Sequence, residues 1–164
     1  MGISIFVIKT MNTFVLNNQS AISLNLSAIS KLVNELADCL AQTDPQTDWG
    51  EVSVVLMDDA GITQPNREFF GKTRPTDVIS FRYDPVPGEE DGATGDLLVN
   101  VECALREGPA HDGADAELAL YIAHGFDHLS GAEDDTPQKH AAMRRTEKRW
   151  LEALQSEIKN LILN

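Results

Sequence analysis

The sequence predicts an α+β fold in which a single layer of about four strands is covered by helices. Short apolar runs of strand length alternate with segments of helical periodicity, and two helical segments close the chain. The 164 residues, 42% of them hydrophobic, suit one domain with a substantial core. We therefore expect residues 1–164 to form a single domain, in which residues 1–10 are a possible N-terminal extension before Met11.

Four segments have the character of strands. Thr13–Asn17 is short, whereas Val52–Met57 is a nearly continuous apolar run of the kind that is covered on both faces. Val78–Tyr83 alternates in polarity, so one of its faces should be buried. Gly95–Val101 follows an acidic stretch, residues 84–94, whose prolines and glycines indicate a loop. These four strands make up the predicted sheet.

Two helices are expected between the first three strands. Ser27 is the predicted cap of a helix that runs to about Ala41. Asp58-Asp59 would cap a shorter helix that runs to Phe70 and ends at Gly71.

Two further helices are expected after the last strand. The first runs from about Gly113 to Leu129, and the second starts at about Pro137. The second repeats apolar residues at helical spacing, which predicts a face turned to the core. These residues are Met143, Trp150, Leu154, Ile158 and Leu161.

The charge distribution limits the possible partners. A net charge of −13 argues against a general nucleic-acid binder, and we expect no binding to DNA. Residues 84–135 hold fourteen acidic side chains and one basic one, so the whole net charge lies there. Residues 66–82 and 136–164 are instead basic, with net charges of +2 and +3. These two stretches could form a local anion-binding edge.

Cysteine content and hydropathy indicate a cytoplasmic protein. Cys39 and Cys103 both lie in apolar surroundings, which favours buried free thiols in a reducing compartment over a disulfide. The apolar start of the chain is too short to span a membrane, and it lacks the basic flank and cleavage site of a signal peptide. We expect no membrane partner.

The segment from His124 to Asp134 has the spacing of a metal site. Residues four apart share a helix face, so the imidazoles of His124 and His128 can converge on one ion. Gly131 allows the backbone to leave the helix and return Asp134 as a third ligand. Three ligands and an open fourth position are typical of catalytic zinc, so we predict one Zn²⁺ per chain at the end of a central helix.

Two alternatives compete with this interpretation. The histidines could be ordinary polar residues near a helix end, and Asp134 could instead cap the next helix at residues 135–137. Zinc peptidases of this spacing carry Glu directly after the first His, whereas this chain has Gly125 there.

A metal-activated hydrolysis would still need a group that takes up a proton. Asp127 and Glu133 are weak candidates for this catalytic role. The alternative for Asp127 is a carboxylate that faces solvent.

Three motifs in order resemble the YbeY family of rRNA-maturation endoribonucleases. They are Asn66-x-x-Phe69-x-Gly71-Lys72-x-x-Pro75-Thr76-Asp77-Val78-Ile79-Ser80-Phe81, Gly95-Asp96-Leu97-Leu98-Val99 and His124-Gly-x-x-His128-Leu-x-Gly131. The resemblance implies a metal-dependent hydrolase, usually assigned zinc, that processes rRNA ends and assists maturation of the small ribosomal subunit.

The chain departs from the family pattern at two positions. The third ligand of the family is His, and this chain has Asp134 in its place, which makes the ion a weaker Lewis acid. The family commonly has Arg directly before Gly71, and this chain has Phe70. Lys72 and Arg74 are then the candidate phosphate contacts, although both could be plain exposed loop charges.

Three functions follow, in order of preference. The first is a zinc-dependent endoribonuclease that acts on rRNA. The second is a ribosome-associated binding protein whose activity is weak or lost through Phe70 and Asp134. The third, a metallopeptidase, is disfavoured by Gly125.

Overall fold

Four strands form one mixed sheet in the computed structural model, which describes residues 10–164. The strands are β1 (Asn12–Asn17), β2 (Trp49–Met57), β3 (Val78–Tyr83) and β4 (Ala93–Asn100). Their order is β1-β2-β4-β3, with β1, β2 and β4 parallel and β3 antiparallel to β4. The predicted α+β class and four-stranded sheet are confirmed. Most of the proposed N-terminal extension, residues 1–9, lies outside the described residues.

Within residues 10–164, five α-helices accompany the sheet. They are α1 (Leu26–Thr43), α2 (Asp59–Phe70), α3 (Val101–Glu107), α4 (Ala114–Leu129) and α5 (Pro137–Ala153). Two short 3₁₀ turns follow α3 and α5, at residues 108–110 and 155–157. None of the helices within residues 10–164 is long and apolar enough to cross a membrane.

The sequence prediction missed α3, which directly follows β4. The side chain of Asn100 accepts a hydrogen bond from the backbone N–H of Cys103 and so caps this helix. The last strand therefore ends at Asn100, one residue before the predicted end. The apolar pattern of Val101 and Ala104 was too short to distinguish helix from strand.

Two other predicted boundaries are wrong. Asn25, not Ser27, caps α1, because its side-chain oxygen accepts from the N–H of Ala28 at 3.1 Å. The final helix was predicted to include Leu154, Ile158 and Leu161, but it ends at Ala153, so these three residues lie beyond it. Leu161 is nevertheless fully buried, because Leu24 and Ile162 form a bridge that returns the chain to the core.

The main core lies between one face of the sheet and helices α1 and α4. Val52, Val54 and Leu56 of β2 and Leu97 and Val99 of β4 face these helices and are fully buried. The opposite face is covered only in part by α2, whose Ile62 packs against Met57 and Ile79. The prediction that β2 is covered on both faces therefore holds only near its C-terminal end.

Helix α4 lies unusually close to the sheet, and two glycines make this possible. A Cβ atom at Gly125 would lie 2.9 Å from Leu97 Cδ2 and 3.3 Å from Val78 Cγ2, and one at Gly95 would lie 2.9 Å from Leu129 Cδ1. The C-terminal half of α4 is thus held against β3 and β4. This half of the helix carries the two histidines of the predicted metal site.

Candidate metal centre

Three predicted ligands lie together at the C-terminal end of α4. The Nε2 atoms of His124 and His128 are 3.0 Å apart, and the Asp134 Oδ2 atom lies 3.7 Å from each of them. These residues form the one group of His, Cys, Asp and Glu side chains in residues 10–164 whose atoms converge as metal ligands could. The His124 and His128 rings are half-buried, whereas Asp134 is exposed, so the group opens to solvent on the Asp134 side.

Hydrogen bonds at the other ring nitrogens fix both imidazoles. His128 Nδ1 lies 3.0 Å from the carbonyl oxygen of Ala132, which can only accept, so Nδ1 carries the proton. His124 Nδ1 likewise donates to the carboxylate of Glu147. In these tautomers both Nε2 atoms present lone pairs that converge with an anionic oxygen. The two lone pairs and the carboxylate oxygen repel one another unless a cation or a proton lies between the three atoms.

The dimensions of the group match those of a tetrahedral zinc site. Zn–N and Zn–O bonds of about 2.0–2.1 Å in a tetrahedron place the ligand atoms roughly 3.3 Å apart. The observed separations of 3.0, 3.7 and 3.7 Å differ from this by a few tenths of an ångström. Two imidazoles and one carboxylate are also an accepted donor set for zinc. The residues therefore fit the ion and leave a fourth position for substrate or solvent.

The turn after α4 brings Asp134 back toward the histidines. Gly131 has a φ of +96°, a conformation that favours glycine, and its N–H bonds to the carbonyl of His128. Thr136, rather than Asp134, caps α5, because its side chain accepts from the N–H of Lys139. The alternative role of Asp134 as a helix cap is therefore wrong.

Glu147 of α5 was not identified from the sequence. It is buried, and its hydrogen bond and charge raise the pKa of His124 above its usual value, although burial of the ring acts in the opposite direction. A sequence signal for it existed, because Glu147 lies at helical spacing between the buried residues Met143 and Trp150. A carboxylate within an apolar stripe requires a partner, and here the partner is His124.

Substitution of Glu147 by Gln should weaken zinc binding by about 10- to 100-fold, because the amide removes the charge that orients and polarises His124. Competition with a chromophoric chelator measures this change. Glu152→Gln removes the same charge from an exposed position of α5 and should leave zinc affinity unchanged. Equal affinity of parent and Glu147→Gln would show that the bond to His124 has no part in metal binding.

Comparison with known proteins identifies the family. The sequence profile described as Endoribonuclease YbeY matches residues 14–155, which include most of β1, the other three strands and all of α1 to α5. The chain belongs to the YbeY family. The resemblance read from three motifs in the sequence is thereby confirmed.

Individual YbeY relatives agree with this assignment. Endoribonuclease YbeY of Rhodopirellula baltica is 41% identical over 103 residues, which are 61% of this chain and 52% of the relative. That of an Exiguobacterium species is 33% identical over 139 residues, or 79% of this chain and 87% of the relative. The alignment with the first relative thus covers about half of that protein, whereas the second is covered over most of its length.

A solved structure has the same fold. The solution structure of the protein TM1509 from Thermotoga maritima superposes with a TM-score of 0.56. The superposition covers 88% of this chain and 92% of that protein, at 18% sequence identity. At this identity the likeness establishes the shared fold.

The two predicted proton acceptors lie in a cleft between α4 and α5, outside the three-residue group. This cleft, of about 310 Å³, includes Asp127, Glu133, Lys139 and Met143 in its lining. Asp127 is buried and not, as the alternative had it, exposed to solvent; its Oδ2 atom has no hydrogen-bond partner in the described part of the chain. Burial and the charge of Glu147 raise its pKa to about 6.

Glu133 is engaged elsewhere. It pairs with Lys139 at 2.6 Å, and Lys139 also pairs with Asp135 at 2.9 Å. Both partners of Lys139 are exposed, so these are surface ion pairs. The catalytic roles of Asp127 and Glu133 stay predictions.

The predicted phosphate contacts lie in the exposed loop between α2 and β3. Lys72 and Arg74 are both exposed, and neither forms an ion pair with another residue of the described chain. The side chain of Asn66 donates to the carbonyl of Arg74 at 2.8 Å and so holds the loop against α2. Phe70, at the position where the resemblance implied an arginine, is exposed at the end of α2.

Proposed function

We propose that this protein is a zinc-dependent endoribonuclease that hydrolyses phosphodiester bonds of rRNA during ribosome maturation. The observation that supports this most strongly is the convergence of two tautomerically oriented imidazoles and a carboxylate at tetrahedral spacing. The names of the YbeY relatives give the reaction class, cleavage within an RNA chain. The rRNA substrate, the small ribosomal subunit as partner and the cytoplasmic location follow from the resemblance to this family.

In the proposed mechanism, His124, His128 and Asp134 hold the ion, and Glu147 keeps the His124 ring in the required tautomer. A zinc ion held by these residues would supply Lewis-acid polarisation of the phosphate and activation of the attacking water. Lys72 and Arg74 would hold the phosphates of the substrate on the exposed loop. Asp134 leaves the site open on one side, where a phosphodiester can approach without displacing a buried side chain.

Cleavage of an rRNA precursor tests this function directly. The purified protein should cut the RNA, lose this activity when zinc is chelated and regain it when zinc is restored. Cleavage that persists in full after the protein has been shown to be metal-free would contradict the proposal.

Two substitutions support a second candidate, a ribosome-associated binding protein of weak or lost activity. Phe70 removes a guanidinium near the loop of Lys72, and Asp134 adds a negative charge to the ligand set. Association with small ribosomal subunits in the absence of any cleavage would favour this candidate.

The peptidase alternative is further disfavoured by the position of Gly125. The Cβ direction of residue 125 points at Leu97 and Val78 of the sheet, at 2.9 and 3.3 Å. A glutamate at this position would therefore meet the core. The general base of the zinc peptidases cannot be placed there.

A further inference from the structure

Four aromatic side chains form a cluster that no part of the proposed mechanism uses. Phe69 and Phe70 end α2, and Phe81 and Tyr83 lie on the face of β3 that is turned away from α4. The Phe70 and Phe81 rings are 6.5 Å apart and inclined by 18°, and those of Phe81 and Tyr83 are 6.5 Å apart and inclined by 26°. Phe69 meets Phe81 edge-on at 4.9 Å. We call these four residues the aromatic cluster.

Three of the four rings are largely exposed to solvent and therefore contribute little to the core. Phe69, Phe70 and Tyr83 have 63%, 54% and 51% of their surface accessible to solvent. Phe81 is half-buried against Ile62 and Ile79, so it anchors the other rings to the part of the sheet that α2 covers. Exposed rings that are grouped, nearly parallel and fixed by a buried neighbour are typical of a binding surface rather than of scattered surface residues.

Three basic side chains lie beside the α2 end of the cluster, whereas Asp96 of β4 accepts a hydrogen bond from Tyr83 at its other end. Arg67, Lys72 and Arg74 are exposed within four positions of Phe70 along the chain, and none of the three is ion-paired with another residue of the described range. Glu68 is the one acidic residue between Arg67 and Arg74. In a chain of net charge −13, three exposed and unpaired basic side chains beside exposed rings favour an anionic partner at this end of the cluster.

Flat rings next to unpaired cations match the chemistry of a single-stranded nucleic acid. Unpaired bases stack on exposed aromatic side chains, while lysine and arginine contact the phosphates between them. A base-paired helix hides the faces of its bases in its own stack and would leave the rings unused. A protein partner would gain from the rings but would not require the three cations.

We propose that the aromatic cluster, with Lys72 and Arg74, binds a single-stranded segment of the RNA substrate by stacking its bases. This inference rests on the proposed function for the nature of the substrate. Phe70 contributes a flat stacking surface at the end of α2, directly before Gly71 and Lys72. The chain would thus hold RNA partly by its bases and depend less on phosphate contacts.

The topology connects this surface with the metal centre. β3 is the outermost strand of the sheet, and its other face packs on α4 through contacts of Val78 and Ser80 with Gly125. The aromatic cluster and the histidines thus lie on opposite faces of a single edge strand. An RNA strand held on the cluster would reach the histidines around this edge. In this inference the cluster positions the substrate and takes no part in the chemistry.

Binding to two matched oligonucleotides separates base stacking from phosphate contact. One is an oligoadenylate of about 12 nucleotides, within the range that a single domain binds, and the other is an abasic chain of the same length. Fluorescence anisotropy of the labelled probes gives the affinity, and a gel after each titration shows whether the probe was cut. The parent should bind the oligoadenylate more tightly than the abasic chain.

Phe70→Ala and Tyr83→Ala should each weaken oligoadenylate binding at least about fivefold, with abasic binding unchanged. Lys72→Ala should weaken binding of both probes. Phe70→Trp should keep the preference for bases. Phe14→Ala is the matched control, because Phe14 is also exposed on this face of the sheet but lies on the opposite edge strand, away from the cluster.

The results distinguish this inference from the proposed function. Base-dependent binding that Phe70→Ala abolishes supports the inference even when no probe or rRNA is cut. Parent and variants that bind both probes equally overturn it, even when rRNA is cleaved normally. Variants that lose only association with ribosomal proteins, or only self-association in light scattering, also overturn it, in favour of a protein partner or a second copy.

Discussion

His128→Ala should reduce the rate of RNA cleavage by at least about 100-fold. The substitution removes one of three converging ligands and leaves His124 and Asp134, which cannot by themselves retain a catalytic zinc ion. Because His128 is half-buried and its Nδ1 bonds a loop carbonyl, the fold should survive its removal. Initial rates on an rRNA precursor, with thermal unfolding of both proteins, measure the effect.

A matched histidine provides the control. His140 is exposed on α5 and lies outside the ligand group, with Arg144 as its neighbour at 3.3 Å. His140→Ala should therefore cleave RNA at the parental rate. A His128→Ala variant as active as the parent, at the same stability, would remove His128 from the site.

Gly125→Leu should lower the free energy of unfolding by about 3 kcal/mol, in the upper range of overpacking effects. A single Cβ at residue 125 already lies within 3.0 Å of both terminal methyl groups of Leu97, which is fully buried and has no free space to move into. A longer side chain would push α4 away from β3 and β4, and with it the histidines. Urea unfolding and zinc content should both report the change.

Ala141→Leu is the control for helix propensity and size. Ala141 lies on an exposed part of α5, so the same side chain can be added there without a clash. We expect its stability to stay within about 0.5 kcal/mol of the parent, as for most surface substitutions. A Gly125→Leu variant as stable as Ala141→Leu would show that the close contact between α4 and the sheet is not tight in solution.

Most elements of the fold were predictable because their signals are local. Asp58 and Gly71 mark the two ends of α2 by capping chemistry, and the prediction for both is confirmed. The prediction that Ser27 caps α1 was wrong because Asn25, two residues earlier, is equally suited to this role. The short helix α3 was not predicted because seven residues are too few to show helical periodicity.

The residues of the candidate site were likewise predictable only where their signals are local. His124, His128 and Asp134 lie within eleven residues of one another, so helix geometry and one glycine turn were sufficient to group them. Glu147 lies on another helix, and no local pattern joins it to His124. The spacing of Glu147 within an apolar stripe indicates a buried charge, but it does not indicate that His124 is its partner.

The aromatic cluster required the three-dimensional structure. The alternation of β3 places Ile79, Phe81 and Tyr83 on one face and Val78, Ser80 and Arg82 on the other, and it predicted that one face is buried. Only Ile79 is buried, because α2 is short and covers the beginning of this strand alone. The exposed rings of Phe70 and Tyr83 come together with Phe81 across 13 residues of chain, a contact that periodicity does not report.

Metal content by mass spectrometry, on protein purified without chelator or a metal-charged column, tests the central claim most directly. The parent and Asp134→His should each hold about one zinc per chain, because a histidine can replace the carboxylate as ligand. Asp134→Ala should lose most of it, while Asp135→Ala, at the neighbouring carboxylate paired with Lys139, should keep it. A parent that stays empty when zinc is supplied, or an Asp134→Ala variant that retains full zinc, would contradict the account.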